Sequence, residues 1–265
     1  VPHIPILTVD AFTDQPFRGN PAAVCLLDGP APEPWMRLVA RELNLSETAF
    51  VHPAGDAWAL RWFTPTKEVD LCGHATLASA HALWETKMLR HGEPARFDTR
   101  SGRLTCRQGP AGRIAMDFPA NPPAPAPAPV GLWEALRIEP APVLRNRLDH
   151  VVVATDEATV QAVRPDFQAL ARISDVHGFV VTAPGAGGVD YVCRYFVPAY
   201  GIDEDPVTGS IQTALGPYWA QRLGKAELVG KQVSARGGTF WVKPMGGRVE
   251  LAGFAVTTVR GELAA

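Results

Sequence analysis

Apolar and polar positions alternate at Ile6–Phe12 and Ala22–Leu27, which predicts two short strands. Glu33–Leu43 carries a helical period instead, and strands follow at Ala49–His52 and Leu60–Phe63. A Gly-containing loop then leads into a long apolar stretch, Ala75–Arg90. It predicts a buried helix with Lys87, Arg90 and His91 around its last turn and Gly92 as its stop. An antiparallel hairpin, Arg96–Arg107 with Arg113–Phe118, comes next. The run Pro119-Ala120-Asn121-Pro122-Pro123-Ala124-Pro125-Ala126-Pro127-Ala128-Pro129 breaks the pattern. Alternating Pro and Ala neither continues a helix nor donates to a central strand, so the segment reads as an extended, semi-rigid connector. A short helix is expected around Leu132 to Arg137.

The same order of elements then returns. A strand at Asp149–Ala154 precedes a helix at Ala158–Ala171, and strands at Phe179–Thr182 and Tyr191–Phe196 precede a long helix at Ile211–Leu223. Gly216-Pro217 inside that helix predicts a kink. A hairpin, Gln232–Val242 with Arg248–Phe254, closes the second half. Short motifs repeat along with the elements. Arg61-Trp62-Phe63-Thr64-Pro65 returns as Arg194-Tyr195-Phe196-Val197-Pro198, an offset of 133. Ala49-Phe50-Val51 returns as Gly178-Phe179-Val180 at 129, Arg100-Ser101-Gly102 as Arg236-Gly237-Gly238 at 136, and Gly112-Arg113-Ile114 as Gly247-Arg248-Val249 at 135. Four matches in one order with nearly constant offset indicate an internal duplication. The predicted organisation is a domain over 1–118, a Pro/Ala linker over 119–130 and a second domain over 131–254, with strand 255–262 free to cross back to the first. Strands outnumber helices, and each half offers one apolar helix for its own sheet to wrap, an α+β arrangement.

Composition narrows the function. The 265 residues hold 25 Lys+Arg against 27 Asp+Glu, a net charge of −2. That balance argues against a nucleic-acid partner and against a polybasic membrane patch. No apolar run approaches the roughly 18 residues of a membrane-spanning helix. Val1-Pro2-His3-Ile4-Pro5 lacks the basic start and apolar stretch of a signal peptide. The four cysteines, at 25, 72, 106 and 193, form no Cys-x-x-Cys pair. Reduced thiols in a cytoplasm are the expectation.

The loops that open the two long helices carry the candidate chemistry. Asp70-Leu71-Cys72-Gly73-His74-Ala75-Thr76 opens the first, and Asp203-Glu204-Asp205-Pro206-Val207-Thr208-Gly209-Ser210 opens the second. In a duplicated fold two such helix starts are expected to face each other across a cleft. Their free N–H groups and dipoles attract an anion, and Gly lets it approach the backbone. The expected ligand is a small carboxylate near Gly73, His74, Gly209 and Ser210. Helix capping is the plainer reading of Asp205 and Ser210 taken alone. Glu47 sits between a helix end and an apolar strand, where partial desolvation would suit a general base; an exposed turn residue is the alternative. His81 is expected on an apolar face, so no metal pair is expected and no metal motif is present. There is no dinucleotide fingerprint, phosphate loop or Gly-x-Ser-x-Gly elbow.

Phe17-Arg18-Gly19-Asn20-Pro21-Ala22-Ala23-Val24, Leu45-Ser46-Glu47-Thr48-Ala49-Phe50 and Leu71-Cys72-Gly73-His74-Ala75-Thr76-Leu77-Ala78 resemble the PhzF (phenazine biosynthesis-like) family. So do Arg61-Trp62-Phe63-Thr64-Pro65 with Glu68, Glu204-Asp205-Pro206-Val207-Thr208-Gly209-Ser210, Pro217-Tyr218-Trp219-Ala220 and Gln232-Val233-Ser234-Ala235-Arg236-Gly237-Gly238. The matches run in order from about residue 9 to 254. The resemblance implies the diaminopimelate epimerase-like fold, two pseudo-symmetric domains each with a sheet or barrel around a central helix. It implies an enzyme without cofactor, commonly a homodimer. It also implies an isomerase in which a glutamate, here Glu47, moves a proton, supported by His74, Asp205 and Ser210. Substrate contacts fall on Asn20, Cys72, Gly73, Thr208, Gly209, Arg236 and Gly237. In the wider superfamily, racemases place a cysteine at each helix start; Cys72 fills the first position and Thr208 the second. A hydroxyl is too weak an acid–base group for that two-thiol mechanism. Ile211-Gln212-Thr213 departs from the small residues or His usual in the family and is expected beside the pocket.

The resulting expectation is a proton-shifting isomerase acting on a small unsaturated amino- or hydroxy-carboxylate, of the kind found in secondary metabolism. Two alternatives remain open. One is an amino-acid racemase, epimerase or dehydratase using Cys72; the other is a carboxylate-binding protein without turnover.

Overall fold

The computed structural model describes residues 3–173 and 176–264. The Val1-Pro2 of the leader reading lies outside them. The chain forms two compact units, Val1–Asp117 with Leu251–Ala265, and Phe118–Glu250.

The first unit contains β1 (His3–Ala11), β2 (Asn20–Leu26), α1 (Glu33–Leu43), β3 (Glu47–Ala54), β4 (Ala57–Phe63) and β5 (Glu68–Val69). It continues with α2 (Gly73–Glu85), β6 (Ala95–Thr99), β7 (Gly102–Gln108) and β8 (Ile114–Pro119), whose last two residues belong to the second unit. The second unit contains β9 (Ala124–Pro125), α3 (Leu132–Leu136), β10 (Val143–Arg145), β11 (Asp149–Val153), α4 (Glu157–Ala162) and α5 (Phe167–Ala171). Then come β12 (Gly178–Pro184), β13 (Tyr191–Phe196), α6 (Gly209–Leu223), β14 (Leu228–Gln232), β15 (Gly238–Met245) and β16 (Arg248–Gly253), along which the chain returns to the first unit. The last strand is β17 (Ala255–Ala264). It pairs antiparallel with β1 along its whole length, from His3↔Ala264 to Ala11↔Ala255.

Strand pairing repeats between the units. In the first, β1 runs antiparallel to β2, β2 parallel to β3, β3 antiparallel to β4, β4 parallel to β6, and β6 antiparallel to β7. In the second, the same alternation joins β10, β11, β12, β13, β14 and β15. The parallel steps need crossovers, which α1 and α2 supply in one unit and α4, α5 and α6 in the other. Each unit has one helix buried on nearly all sides. In α2 all residues from His74 to Ala80 are buried, and α6 buries a continuous run from Ile211 to Gly216. Helix stretches buried this completely are core elements enclosed by packed structure.

Several elements differ from the sequence expectation, each for a local reason. The α2 helix stops at Glu85, so Lys87, Arg90 and His91 lie beyond its last turn. Thr86 bonds back to Ala82 O through both its N–H and its hydroxyl, and Lys87 then takes a left-handed φ of 62° that ends the helix. The stretch Ala158–Ala171 is two helices, because the chain is already extended at Val163 (φ −55°, ψ 127°), two residues ahead of Pro165, and α5 starts afresh at Phe167. Asp156 and Asp166 cap the two pieces through Thr159 N–H and Ala169 N–H. Each predicted closing hairpin has an additional strand: Arg96–Arg107 turns at Arg100-Ser101 into β6 and β7, and Gln232 ends β14 before β15 begins.

The Pro/Ala segment is extended and lies on the second unit. Ala124 and Pro125 pair with Arg145 and Leu144, an edge position where a missing N–H costs nothing. It also answers a defect in α6. Pro217 cannot donate to Thr213 O, and Asn121 N–H fills that acceptor at 3.1 Å. The helix therefore runs unbroken through Pro217.

Candidate functional site

Glu47 is the first residue of β3, held in register by pairing with Ala22 on β2. Cys72 is the residue before α2, and His74 is the second residue of that helix. The fold brings these three side chains into one cluster. His74 Nε2 lies 3.1 Å from Glu47 Oε2, with side-chain exposures of 8% and 14%. On the other side of the ring, Nδ1 lies 3.5 Å from Cys72 Sγ. The imidazole thus stands between a thiol and a carboxylate. The Nε2–Glu47 separation is that of an ion pair, but the ring N–H does not point along it, so Nε2 is left as a buried donor without an aligned acceptor.

The charges of the three groups are linked. Burial pushes the Cys72 thiol up, and the Glu47 carboxylate adds to this. For His74, burial works toward a lower value, but the opposing negative charge at Cys72 and Glu47 wins and raises it well above the ordinary 6.5. The stability sign follows from linkage. A raised folded-state value means stabilisation that is complete below the unfolded value of 6.5 and is lost as pH rises through the folded value. The urea midpoint is expected to fall on going from pH 6 into the alkaline range, and to fall less in His74→Gln. An equal pH dependence in both proteins would show that His74 is not the titrating group.

The α2 N-terminus adds a partial positive charge. Its N-cap residue, Cys72, makes no side-chain cap, and the exposed amides of a first turn favour an anion. Glu47, Cys72 and His74 also offer ligand atoms within 4.8 Å of one another, a set that could hold a metal ion. A single ion binds only one ring nitrogen. It would break either the Sγ–Nδ1 or the Oε2–Nε2 contact, so the arrangement suits a proton better than a cation.

Asn20 is fully buried at the start of β2 and accepts from Ser46 Oγ at 3.3 Å, next to Glu47 in sequence. The loop before it is tight. Phe12 and Phe17 both have φ near +60°, and Phe17 N–H is held by Asp10 Oδ2 at 2.7 Å. Gly19 has φ +64°, and a Cβ there would lie 2.2 Å from Ala11 O, so only glycine fits. His81 does not sit on an apolar face. It bonds Glu85 Oε2 at 2.9 Å and Thr257 Oγ1 at 3.1 Å, apart from the cluster.

In the second unit, Thr208 precedes α6 and also makes no side-chain cap. Its hydroxyl donates to Asp205 Oδ2 in a short hydrogen bond. Asp205 thereby braces the loop that leads into the helix, and Ser210 is an exposed residue of the first turn. Gly209 is buried as the first helical residue, and Gly73 is half-buried at the same place in α2. Gly237 has φ +68° and donates its N–H to Ser234 Oγ at 3.1 Å; Arg236 is half-buried beside it.

Gln232 is the residue that the sequence reading passed over. Its Oε1 accepts from Thr208 N–H at 2.8 Å, and its Nε2 donates to Asp205 O at 2.6 Å. A buried Gln ending a strand inside an otherwise matched motif was the available signal. The Ile211-Gln212-Thr213 departure ties the start of α6 to the core. Gln212 is fully buried, accepts from Tyr191 Oη and donates to Thr208 O at 3.2 Å. It serves the core of the second unit.

The phenazine biosynthesis-like protein model matches residues 9–261. An uncharacterized isomerase of Halalkalibacterium halodurans is 47% identical, with 98% of each chain covered. A phenazine biosynthesis-like domain-containing protein of Mus musculus is 39% identical over 99% of each chain. A crystal structure of a PhzF-family protein from Enterococcus faecalis superposes over the whole of both chains with a TM-score of 0.95 and 40% identity. A hydroxyproline epimerase from Agrobacterium vitis, at 13% identity and TM-score 0.66 over 98% of this chain and 92% of its own, shares the fold alone. The fold is the diaminopimelate epimerase-like one, and the chain belongs to the phenazine biosynthesis-like (PhzF) family and is an isomerase.

Proposed function

We propose that the protein moves a proton along a small unsaturated amino- or hydroxy-carboxylate without a cofactor, with Glu47 as the general acid and base. The observation that supports this most is the Glu47–His74 pair at 3.1 Å, almost out of solvent, at an uncapped helix start. Glu47 takes a proton from a carbon made acidic by a neighbouring double bond and returns it further along the conjugated system. Charge then develops on the substrate, and the unaligned Nε2 donor of His74 is available to receive it. Asn20, Gly73, Gly209, Arg236 and Gly237 bind the substrate in this reading, and Asp205, Thr208 and Ser210 orient its amine or hydroxyl. A homodimer in a cytoplasm belongs to the same reading; four free, buried thiols suit a reducing compartment. No helix among the described residues is long and apolar enough to cross a membrane, which leaves β-barrels unaddressed.

A second reading has one observation behind it. Cys72 Sγ touches His74 Nδ1, as a thiol acid or base would. Against it, burial and Glu47 both disfavour the thiolate, and the residue that precedes α6, as Cys72 precedes α2, is Thr208 and not a second cysteine. Proton NMR in D₂O tests both. The panel holds a dihydro-hydroxyanthranilate, unsaturated cyclic amino acids, diaminopimelate and proline. A double-bond shift with deuterium entering carbon, undiminished in Cys72→Ser, is the expected result. Exchange confined to the α-carbon of a saturated amino acid and lost in Cys72→Ser would move the assignment to Cys72. Tight binding with no exchange would favour a binding protein.

A further inference from the structure

The duplication repeats one more device, placed just upstream of each site helix. In the first unit, Arg61 of β4 grips Glu68 with two hydrogen bonds, Nε to Oε1 at 2.7 Å and Nη2 to Oε2 at 2.6 Å. In the second, Arg194 of β13 grips Glu204 through the same atoms, Nε to Oε1 at 2.7 Å and Nη2 to Oε2 at 2.8 Å. Each guanidinium also lies over the aromatic ring two residues further along its strand. The distance is 5.1 Å to Phe63 in one unit and 4.9 Å to Phe196 in the other. Each glutamate stands five residues before the first residue of its helix, Gly73 or Gly209. The loops differ in length, since seven positions separate Arg61 from Glu68 and ten separate Arg194 from Glu204. The fork, the ring and the distance to the helix are kept although the loop is not.

We propose that Arg61–Glu68 and Arg194–Glu204 are paired positioning residues for the reaction, each fixing the segment from which a site helix starts. The inference rests on the reading that those helix starts carry the chemistry. A stabilising role alone explains the pairs poorly. The side chain of Glu68 is 3% exposed and that of Arg194 is 10% exposed, and burying such charges costs much of what their attraction returns. A planar two-bond fork instead fixes direction as well as distance. The downstream connections fit this. Glu68 pairs with Phe63 across β4 and β5, four residues before Cys72. Glu204 is adjacent to Asp205, whose N–H donates to Tyr195 O beside Arg194.

The two clamps have different third partners. In the first unit Arg100 also reaches Glu68 at 2.7 Å, and Arg61 also reaches Glu33 at 2.7 Å. In the second, Arg194 Nη1 donates to the backbone carbonyls of Val163 at 2.7 Å and Val160 at 3.3 Å, at the end of α4. The second clamp is therefore tied to backbone and the first to side chains.

The first clamp can be tested without a substrate, by ¹⁵N NMR titration of the His74 ring in Arg61→Lys and Glu68→Gln. Lysine keeps the charge and loses the fork. His74 is expected to titrate closer to an ordinary histidine in both variants, and in neither case in the control Arg103→Gln. Arg103 makes an equally good fork to Asp56 and Asp98, but that fork holds no site loop. The second clamp is read on whichever panel compound turns over. Glu204→Gln and Arg194→Lys are expected to lower kcat by about tenfold or more, as small misplacements of reacting groups do, with KM changed less. If Arg194→Lys fails to fold, Glu204→Gln decides that arm. Variants that lower the urea midpoint but leave both the His74 titration and kcat within twofold of the parent would overturn the proposal. If nothing in the panel turns over, the function is in question, but the His74 titration still decides whether the clamp positions the ring.

Discussion

Glu47→Gln is expected to slow solvent-deuterium incorporation into substrate carbon by about 10²–10⁴-fold, the usual contribution of a positioned acid–base group. It should do so without disturbing the fold. Gln has the shape of Glu, and Glu47 holds its place through backbone pairing with Ala22, which the substitution leaves intact. The same variant makes a second prediction that can be read without substrate. Glu47 is, after Cys72, the second negative neighbour that raises the buried His74, so its removal should bring the imidazole's titration down. A variant that lost exchange while His74 titrated as before would mean the pairing at 3.1 Å has no electrostatic weight. One that shifted His74 but kept its exchange rate would remove Glu47 from the chemistry and leave Cys72 as the remaining acid–base candidate of the cluster. Gln can still accept a hydrogen bond but cannot take a proton, so the comparison isolates proton transfer from binding.

How much of this was legible in the sequence depended on whether the signal was local. The α1 helix agrees with its predicted bounds because its periodicity, Pro at the second position and acidic first turn lie within eleven residues. The core strand β13 agrees because apolar and aromatic residues flank Arg194 along a short run in which every residue is buried. The end of α2 was misplaced because Thr86 turns its own hydroxyl back on the helix and Lys87 adopts a left-handed backbone, neither of which hydropathy reveals. Pro165 interrupts an apolar pattern that continues on both sides of it, through α4 and α5 into one core. At the site, Glu47 and His74 are separated by 27 positions, and only the pairing of β2 with β3 and the burial of α2 bring them together. Gln232 illustrates the limit. Amide side chains are common at strand ends, and nothing local shows that this one collects Thr208 N–H and Asp205 O from a loop more than twenty residues upstream.

The largest stability effect is expected at Trp219. It is fully buried in α6, lies parallel to Tyr191 with ring centroids 6.1 Å apart, and donates its indole N–H to Thr182 Oγ1 at 3.0 Å. Trp219→Ala removes the stacked face and opens a cavity, which costs about 3–5 kcal/mol in well-packed cores. Against a typical domain stability of about 5–15 kcal/mol, that is enough to lower the urea midpoint of the second unit severely. Tyr191→Phe separates packing from hydrogen bonding in the same cluster. It keeps the ring but leaves the buried Gln212 Oε1 without its donor, a loss of about 1–3 kcal/mol. The cluster has no room to relax. Gly230 on β14 lies so close under the tyrosine that a Cβ would come within 2.4 Å of Tyr191 Cζ. The ring is held by the glycine below, by Trp219 beside it and by Gln212 at its tip, and Gln212 in turn donates to Thr208 O at the start of α6. Tyr191→Phe should therefore slow exchange more than its modest stability cost suggests, whereas Trp219→Ala should act mainly on folding. The check is a urea titration of both variants beside the exchange rate per folded molecule. If Tyr191→Phe lowered stability yet left the rate per folded molecule unchanged, the Tyr191–Gln212–Thr208 connection would belong to the core and have no bearing on the site.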